Sequence, residues 1–398
     1  MKILFLSRWF PYPPDNGSKI RVFNLLKALA CQHEIELISF TSDAISPEQL
    51  AILGQYCRRV QLAPYRPFQP GRLKALLGFV STRPRSVIDT FNPDLQRLVE
   101  QASRQDSFDM VIASQIDMAP YALGLPGSVK ILEELELTAL FEEFARAGQP
   151  FRKLRSGLTW WKLSAYVHRL LSAFDGCTVV SAGELAQVRR VAPGGTPLAI
   201  IPNGVDIGHY ANSFGRPAID TLIYAGALTY GPNFDAVKFF LGEILPLIRR
   251  ERPQVELRIT GRAEQAQVKN LPFSPNNRVI FTGYLDDIRP AIANSWVSIV
   301  PLRIGGGTRL KILESLALGT PVIATRKGAE GLELVPGRDL LIADEPAEFA
   351  AAVLRLLQDA DLRATLSYNG RQAVEARYDW RMIGQHFNDF IEQVARGG

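Results

Sequence analysis

Cysteine is scarce, three in 398 residues, and Cys31, Cys57 and Cys177 have no metal-ligand spacing with His33, His168, His209 or His386. Neither a disulfide framework nor a structural zinc site fits this pattern. No run of eighteen apolar residues and no charged-then-apolar leader occurs, so the expectation is a cytoplasmic protein without a membrane span. A Walker-type glycine-lysine loop, a GxSxG elbow and a strand-bound GxGxxG are all missing, which removes the most direct nucleotide and hydrolase readings. The net charge of +5 is too small to argue for nucleic acid as a partner. One absence is local. From Gln49 to Ile88 there is no Asp or Glu, while Arg58, Arg59, Arg66, Arg72, Lys74, Arg83 and Arg85 fall in the same stretch; such a run needs an anionic partner or simply solvent.

What is abundant is apolar residue, 47% of the chain, enough for large cores. The first forty residues read as strand (Lys2 to Ser7), turn and cap (Asn16-Gly17-Ser18), helix (Ile20, Phe23, Leu26, Leu29) and strand (Glu34 to Phe40). Short apolar runs separated by helical patterns continue to Leu198–Ile201. After a loop rich in Gly, Pro and Asn, the alternation restarts at Leu222 and ends at Leu340–Ile342. The predicted fold class is therefore α/β, with two Rossmann-like, doubly wound parallel-sheet domains facing an interdomain cleft. The expected boundaries are 1–204, 205–376, and a final helical segment 377–398 that crosses back to the first domain.

The segment richest in chemistry is Ile304-Gly305-Gly306-Gly307-Thr308-Arg309-Leu310-Lys311-Ile312-Leu313-Glu314. Three glycines after a strand allow close backbone approach, and the following helix start offers unpaired N–H groups and a positive dipole end. Arg309 and Lys311 stand in the first turn, where the dipole disfavours cations, so an anion is expected to compensate. Glu314, about one turn on, could accept hydrogen bonds from sugar hydroxyls. An ordinary solvated helix edge with an i,i+3 ion pair is the alternative.

This glycine loop and helix, with the strand Pro321 to Ala324, resembles the donor-site signature of glycosyltransferase family 4, which has the GT-B fold. Ile201 to Asp206 resembles that family's interdomain segment, Phe281-Thr282-Gly283-Tyr284-Leu285 its base-contacting loop, and Tyr378-Asp379-Trp380 the start of its closing helix. The resemblance implies retaining, metal-independent transfer of a hexose from a nucleotide-diphosphate sugar, a UDP-sugar among the candidates. That sugar nucleotide is a co-substrate, and no cofactor is expected. The second domain would hold the donor, with Glu314 on its ribose and the backbone around Gly283 and Tyr284 at its base. Gly305, Gly306, Gly307 and Thr308 would lie at its diphosphate, and Arg262 at base or phosphate. Gly17, in the first helix turn, would approach donor or acceptor; a plain N-cap by Ser18 is the alternative there.

Two departures stand out. The first glutamate of the family's Glu-x7-Glu pair falls on Gly306. Its two diphosphate-binding cations fall on Ala227 and near Pro232–Asn233, where this chain has neither. The expectation is that Arg309 and Lys311 take over the phosphate charge, because a departing diphosphate needs cationic stabilisation. On the acceptor side the family's histidine corresponds to Glu133, which would accept or orient a hydroxyl proton unless it and Glu134 merely end a strand. Asp117 is a weaker candidate of the same kind.

The acceptor is expected to be a glycan, a glycolipid or a small molecule, in polysaccharide or glycoconjugate synthesis. Along Trp160 to Phe174, the residues Trp160, Leu163, Val167, Leu170, Leu171 and Phe174 share one helical face, with Arg152, Lys153 and Arg155 just before it. That face is expected either to touch an anionic inner membrane surface peripherally or to face the core. The competing functions are a GT-B nucleotide-sugar epimerase and a non-catalytic nucleotide-sugar-binding scaffold.

Overall fold

The computed structural model describes residues 1–138, 141, 150–211, 214–273 and 278–397. They form two compact units, Met1–Asn203 with Arg381–Gly398, and Gly204–Trp380. Unit 1 is built on β1 (Lys2–Ser7), β2 (Glu34–Thr41), β3 (Arg59–Pro64), β4 (Met110–Ser114), β5 (Val129–Glu133), β6 (Gly176–Val179) and β7 (Leu198–Ile200). Unit 2 is built on β8 (Ala218–Ala225), β9 (Glu256–Thr260), β10 (Val279–Gly283), β11 (Ser295–Val300), β12 (Val322–Ala324) and β13 (Leu341–Ile342). The sheet orders are β3-β2-β1-β4-β5-β6-β7 and β10-β9-β8-β11-β12-β13, with parallel pairing throughout.

The two orders obey one rule: each sheet starts near its middle, winds out one way, then jumps back over the first strand and winds out the other. Right-handed helical crossovers then cover both faces, so the central strands are apolar on both sides. Ile3, Leu4, Phe5 and Leu6 in β1, and Leu222, Ile223 and Tyr224 in β8, are all fully buried. Each such side chain contributes about 1.5–3 kcal/mol of burial, which fixes the strand registers that aim the loops beyond them.

The second crossing between units is at Trp380/Arg381, within the helix Trp380–Gly397. Its Ile383, Phe387 and Ile391 are buried, and Asn388 Nδ2 donates to the carbonyl of Ala28 at 3.3 Å. Gly384 is required there, because a Cβ would stand 2.4 Å from the Ala28 Cβ. Entry to and exit from unit 2 are laced together, Val205 N–H to Tyr378 O at 2.8 Å and Trp380 N–H to Val205 O at 3.2 Å.

Candidate active site

In an open parallel sheet the strand order reverses at one gap, and loops leaving the carboxyl ends of the two flanking strands diverge to leave a crevice. In unit 2 that gap lies between β8 and β11, and the glycine loop leaves β11 there. Gly305 and Gly307 have φ of 103° and 80°, a region side chains resist, so glycine is needed. A Cβ on Gly305 would also come within 3.0 Å of Pro232 in the first turn of the helix Gly231–Phe239, so the glycine loop packs its backbone against that ring.

Arg309 does not present charge to a ligand in the way the sequence suggested. It is buried, at 5% exposure, and its guanidinium donates to the carbonyls of Gly306 (2.9 Å), Gly305 (2.8 Å) and Lys327 (3.2 Å). Both glycine peptides are trans. In a trans peptide the N–H points opposite to its carbonyl, so the pull on those two carbonyls turns the Gly306 and Gly307 amides away from Arg309. Arg309 thus holds the glycine loop in place from within. The reason is its planar fork, which suits neighbouring carbonyls.

Lys311 does reach the crevice. Its Nζ lies 2.9 Å from Asn233 Oδ1 and 3.1 Å from the Tyr224 hydroxyl, 4.4 Å from the Tyr224 ring centre. A Cβ on Gly226 would be 2.8 Å from this nitrogen. The ammonium therefore sits between the loop at Ala227 and the helix start at Asn233, the two places where the resemblance expected cations. Burial, and then the Arg309 charge, pull its pKa down to about 7, with Glu314 opposing. A lysine held this way gains its proton firmly only when an anion arrives.

Glu314 follows one turn later. Its Oε1 accepts from the Tyr210 hydroxyl at 3.1 Å, and burial pushes the carboxyl up while Tyr210 and Lys311 pull it down. Tyr210 carried no sequence signal, since it comes from the loop 104 residues earlier. The predicted base-reading residues also meet: Gly283 has φ 71°, its carbonyl accepts from Gly261 N–H at 2.8 Å, and the Arg262 guanidinium lies 5.3 Å from the exposed Tyr284 ring. Gly261 is needed because a Cβ would strike Ala227 N at 2.6 Å. Donor-site candidates Gly305, Gly306, Gly307, Thr308, Lys311, Glu314, Arg262, Gly283 and Tyr284 thus all lie on loops or the helix beyond the carboxyl ends of β9, β10 and β11.

Unit 1 has its gap between β1 and β4. Arg8, just past β1, pairs with Asp117 beyond β4 at 2.9 Å, with the rings of Trp9 and Tyr65 at 5.0 and 5.5 Å from its guanidinium. Arg8, Trp9 and Tyr65, with Tyr12 and Lys19, border a hollow of about 70 Å³, smaller than the ~300–1,000 Å³ usual for small-ligand sites.

Glu133 is not the accessible group the alignment implied. It has no exposure; Oε1 is held by Arg21 Nε at 2.5 Å and Oε2 by the Ser114 hydroxyl at 2.7 Å. The last inward-facing position of β5 points it into the core. Arg21 also donates to the carbonyls of Ile201 (2.8 Å) and Pro202 (3.2 Å) and to Asn203 Oδ1 (3.0 Å), so the pair anchors the segment leading into unit 2. The neighbouring Glu134 is the more telling residue. Glu134 and Gln115 end adjacent strands with φ of 57° and 70°, conformations that non-glycine residues adopt at a cost of about 1–3 kcal/mol and that cluster at functional sites. Gln115 Nε2 donates to Glu134 Oε2 at 2.9 Å. Burial first, then Glu133, pushes the Glu134 acid up to about 8, while Arg21, 3.8 Å from its Oε1, pulls the other way. The tandem Glu133-Glu134 was the signal, but only strand register says which one leaves the core.

Gly17 opens the first helix, Gly17–Ala30, and Asn16 rather than Ser18 caps it, accepting from Lys19 N–H at 3.1 Å. The apolar face proposed for membrane contact is core: Leu163, Val167, Leu170, Leu171 and Phe174 are buried and Trp160 packs against them. The Arg152 side chain lies outside the described residues. Among the described residues no His, Cys, Asp and Glu cluster would hold a metal, and no helix is long and apolar enough to cross a membrane.

By fold this is a GT-B protein. Residues 219–359 match the family model described as Glycosyl transferases group 1. The phosphatidyl-myo-inositol mannosyltransferase of Mycolicibacterium smegmatis is 26% identical over 230 residues, 55% of this chain and 58% of the relative; the match thus spans somewhat over half of that protein's length. Among solved structures, the sucrose-phosphate synthase of Thermosynechococcus elongatus aligns over 100% of both chains with a TM-score of 0.70 at 18% identity. The Anabaena protein HepE in complex with UDP aligns over 99% of this chain and 100% of its own, with a TM-score of 0.67 at 16% identity. Residues 219–359 are thus similar to the group 1 glycosyl transferases, and the chain as a whole shares the GT-B fold.

Proposed function

We propose that the chain is a retaining, metal-independent hexosyltransferase that moves a sugar from a nucleotide diphosphate, a UDP-sugar in our reading, to a hydroxyl of a glycan, glycolipid or small-molecule acceptor. The donor is a co-substrate and no separate cofactor takes part; the pathway class is polysaccharide or glycoconjugate synthesis on the cytoplasmic side. The observation that carries the reading is Lys311, whose ammonium occupies the space between Ala227 and Asn233 left by the two missing family cations. A similar fold bound to UDP supports uridine, and similarity to a lipid mannosyltransferase supports a glycolipid among the acceptors.

As the bond from sugar to diphosphate breaks, charge grows on the leaving oxygens. Lys311 and the Gly306 and Gly307 amides meet that charge, which is where preorganised donors lower a barrier most. Glu314, steadied by Tyr210, receives the ribose hydroxyls; Tyr284 and Arg262 flank the base. The acceptor lies in unit 1, its ring against Trp9 or Tyr65 and its hydroxyl oriented by Glu134, Gln115 and Asp117. Retention is carried over from the family resemblance, with the departing phosphate taking the acceptor proton.

Calorimetric titration with UDP, followed by donor-consumption assays over a panel of UDP- and GDP-sugars, tests this. UDP binding with turnover, both weakened on the order of a hundredfold by Lys311→Ala, is the expected result. Absence of nucleotide binding would remove the proposal. Tight binding with no turnover on any acceptor would favour the scaffold reading, for which the replacement of the family's first glutamate by Gly306 is the supporting observation.

A further inference from the structure

The acid-free stretch found in the sequence takes a definite form in unit 1. The short helix Leu73–Leu77 and the turn after it leave Leu73, Phe79 and Val80 at 74%, 66% and 88% exposure. Nearby runs the helix Pro150–Leu171, with Leu154, Leu158 and Trp161 exposed, Trp161 at 70%. These three recur at i, i+4 and i+7, on the side opposite the core face of the same helix. The two elements are joined: Lys162 Nζ donates to the Gly78 carbonyl and Arg169 Nη2 to that of Thr82 at 2.8 Å, while the Arg85 guanidinium stacks on the Phe79 ring at 3.9 Å. Two neighbouring elements thus each carry several exposed apolar side chains, more than the scattered singles a soluble surface carries.

Arg66, Lys74, Arg83, Lys153 and Arg155 lie in or near the same segments, and none of them forms an ion pair among the described residues. We propose that this face docks on an anionic lipid bilayer. Aliphatic and aromatic tips enter the acyl boundary while arginine and lysine heads meet lipid phosphates, each cation contributing about 1 kcal/mol near such a surface. A second copy of the chain is a poor occupant, because two-fold self-docking would set the same unpaired cations against each other. The inference stands apart from the sugar-transfer reading, since lipid binding is measured without donor or acceptor.

Flotation of the full chain with vesicles of phosphatidylcholine alone, or mixed with phosphatidylglycerol, tests it. The expected result is partition on the order of tenfold higher on the anionic vesicles, falling at high salt. Trp161 emission should shift to the blue on binding, as judged against Trp161→Phe. The double variant Phe79→Glu with Trp161→Glu should lose the partition while keeping the wild-type melting temperature, both side chains being exposed. Equal partition on neutral vesicles, or wild-type binding by the double variant, overturns the proposal. So does a salt-resistant dimer in sedimentation that the double variant splits.

Discussion

The two sheets share one winding order, yet the crevices at their reversal points are electrostatic opposites. Beyond β8 and β11 the chain offers turned-out amides, a glycine loop and Lys311, a place short of negative charge. Beyond β4 and the neighbouring β5 unit 1 places Asp117 and Glu134, close to Arg8 and Arg21 respectively, and burial raises both acids. A parallel sheet fixes where loops diverge but not what they carry, so one topology presents a glycine loop and a lysine in one unit and buried acids in the other.

The largest expected effect breaks the acidic side. Arg21→Met leaves Glu133 buried and unpaired, at a cost of about 3–5 kcal/mol in urea unfolding. The double change with Glu133→Gln should recover much of it; no recovery would mean that Arg21 acts through the 201–203 carbonyls instead. Next, Lys311→Ala should lower kcat/KM on the order of a hundredfold, about 2.7 kcal/mol, with the melting temperature held or raised, since a desolvated cation is removed.

The pH dependence should run in opposite directions in the two crevices. Lys311 has a folded value of about 7 against an ordinary 10.5, so the unfolded chain holds the extra proton between those values and this group adds stability as pH rises through that window. Glu134, at about 8 against 4.5, is the reverse: the folded chain holds the proton, and stability from this group is lost as pH rises from 4.5 to 8. Thermal melts of Lys311→Met and Glu134→Gln across pH should each flatten one slope and spare the other; the same change in both would end the contrast. Nucleotide binding above pH 7 should also take up a proton at Lys311, visible as a buffer-dependent heat in calorimetry. The smallest effect is at Tyr210→Phe, which removes one hydrogen bond from Glu314 and should weaken UDP binding by about 0.5–1.5 kcal/mol.

Much of this was legible beforehand. The strands at Lys2–Ser7, Met110–Ser114 and Val279–Gly283 fall where apolar runs stop at turn residues, and the restart after Pro202 marks the second sheet. The glycine loop was readable because three consecutive glycines after a strand have few other uses. Side-chain direction was not readable. Helical spacing gave Trp160 to Phe174 one apolar face without saying which way it turns, and of the two alternatives left open the core took it.

Chain order and glycine placement therefore determined the winding of both sheets and the address of the glycine loop, because backbone hydrogen bonding and burial follow local pattern. Tertiary contact alone decided that Arg309 turns back onto its own loop while Lys311 reaches Asn233, 78 residues earlier, and that Glu133 is sealed while Glu134 is strained at the strand end. A side chain's role follows from what stands within about 3 Å of its charge, and residues distant in sequence supply most of that.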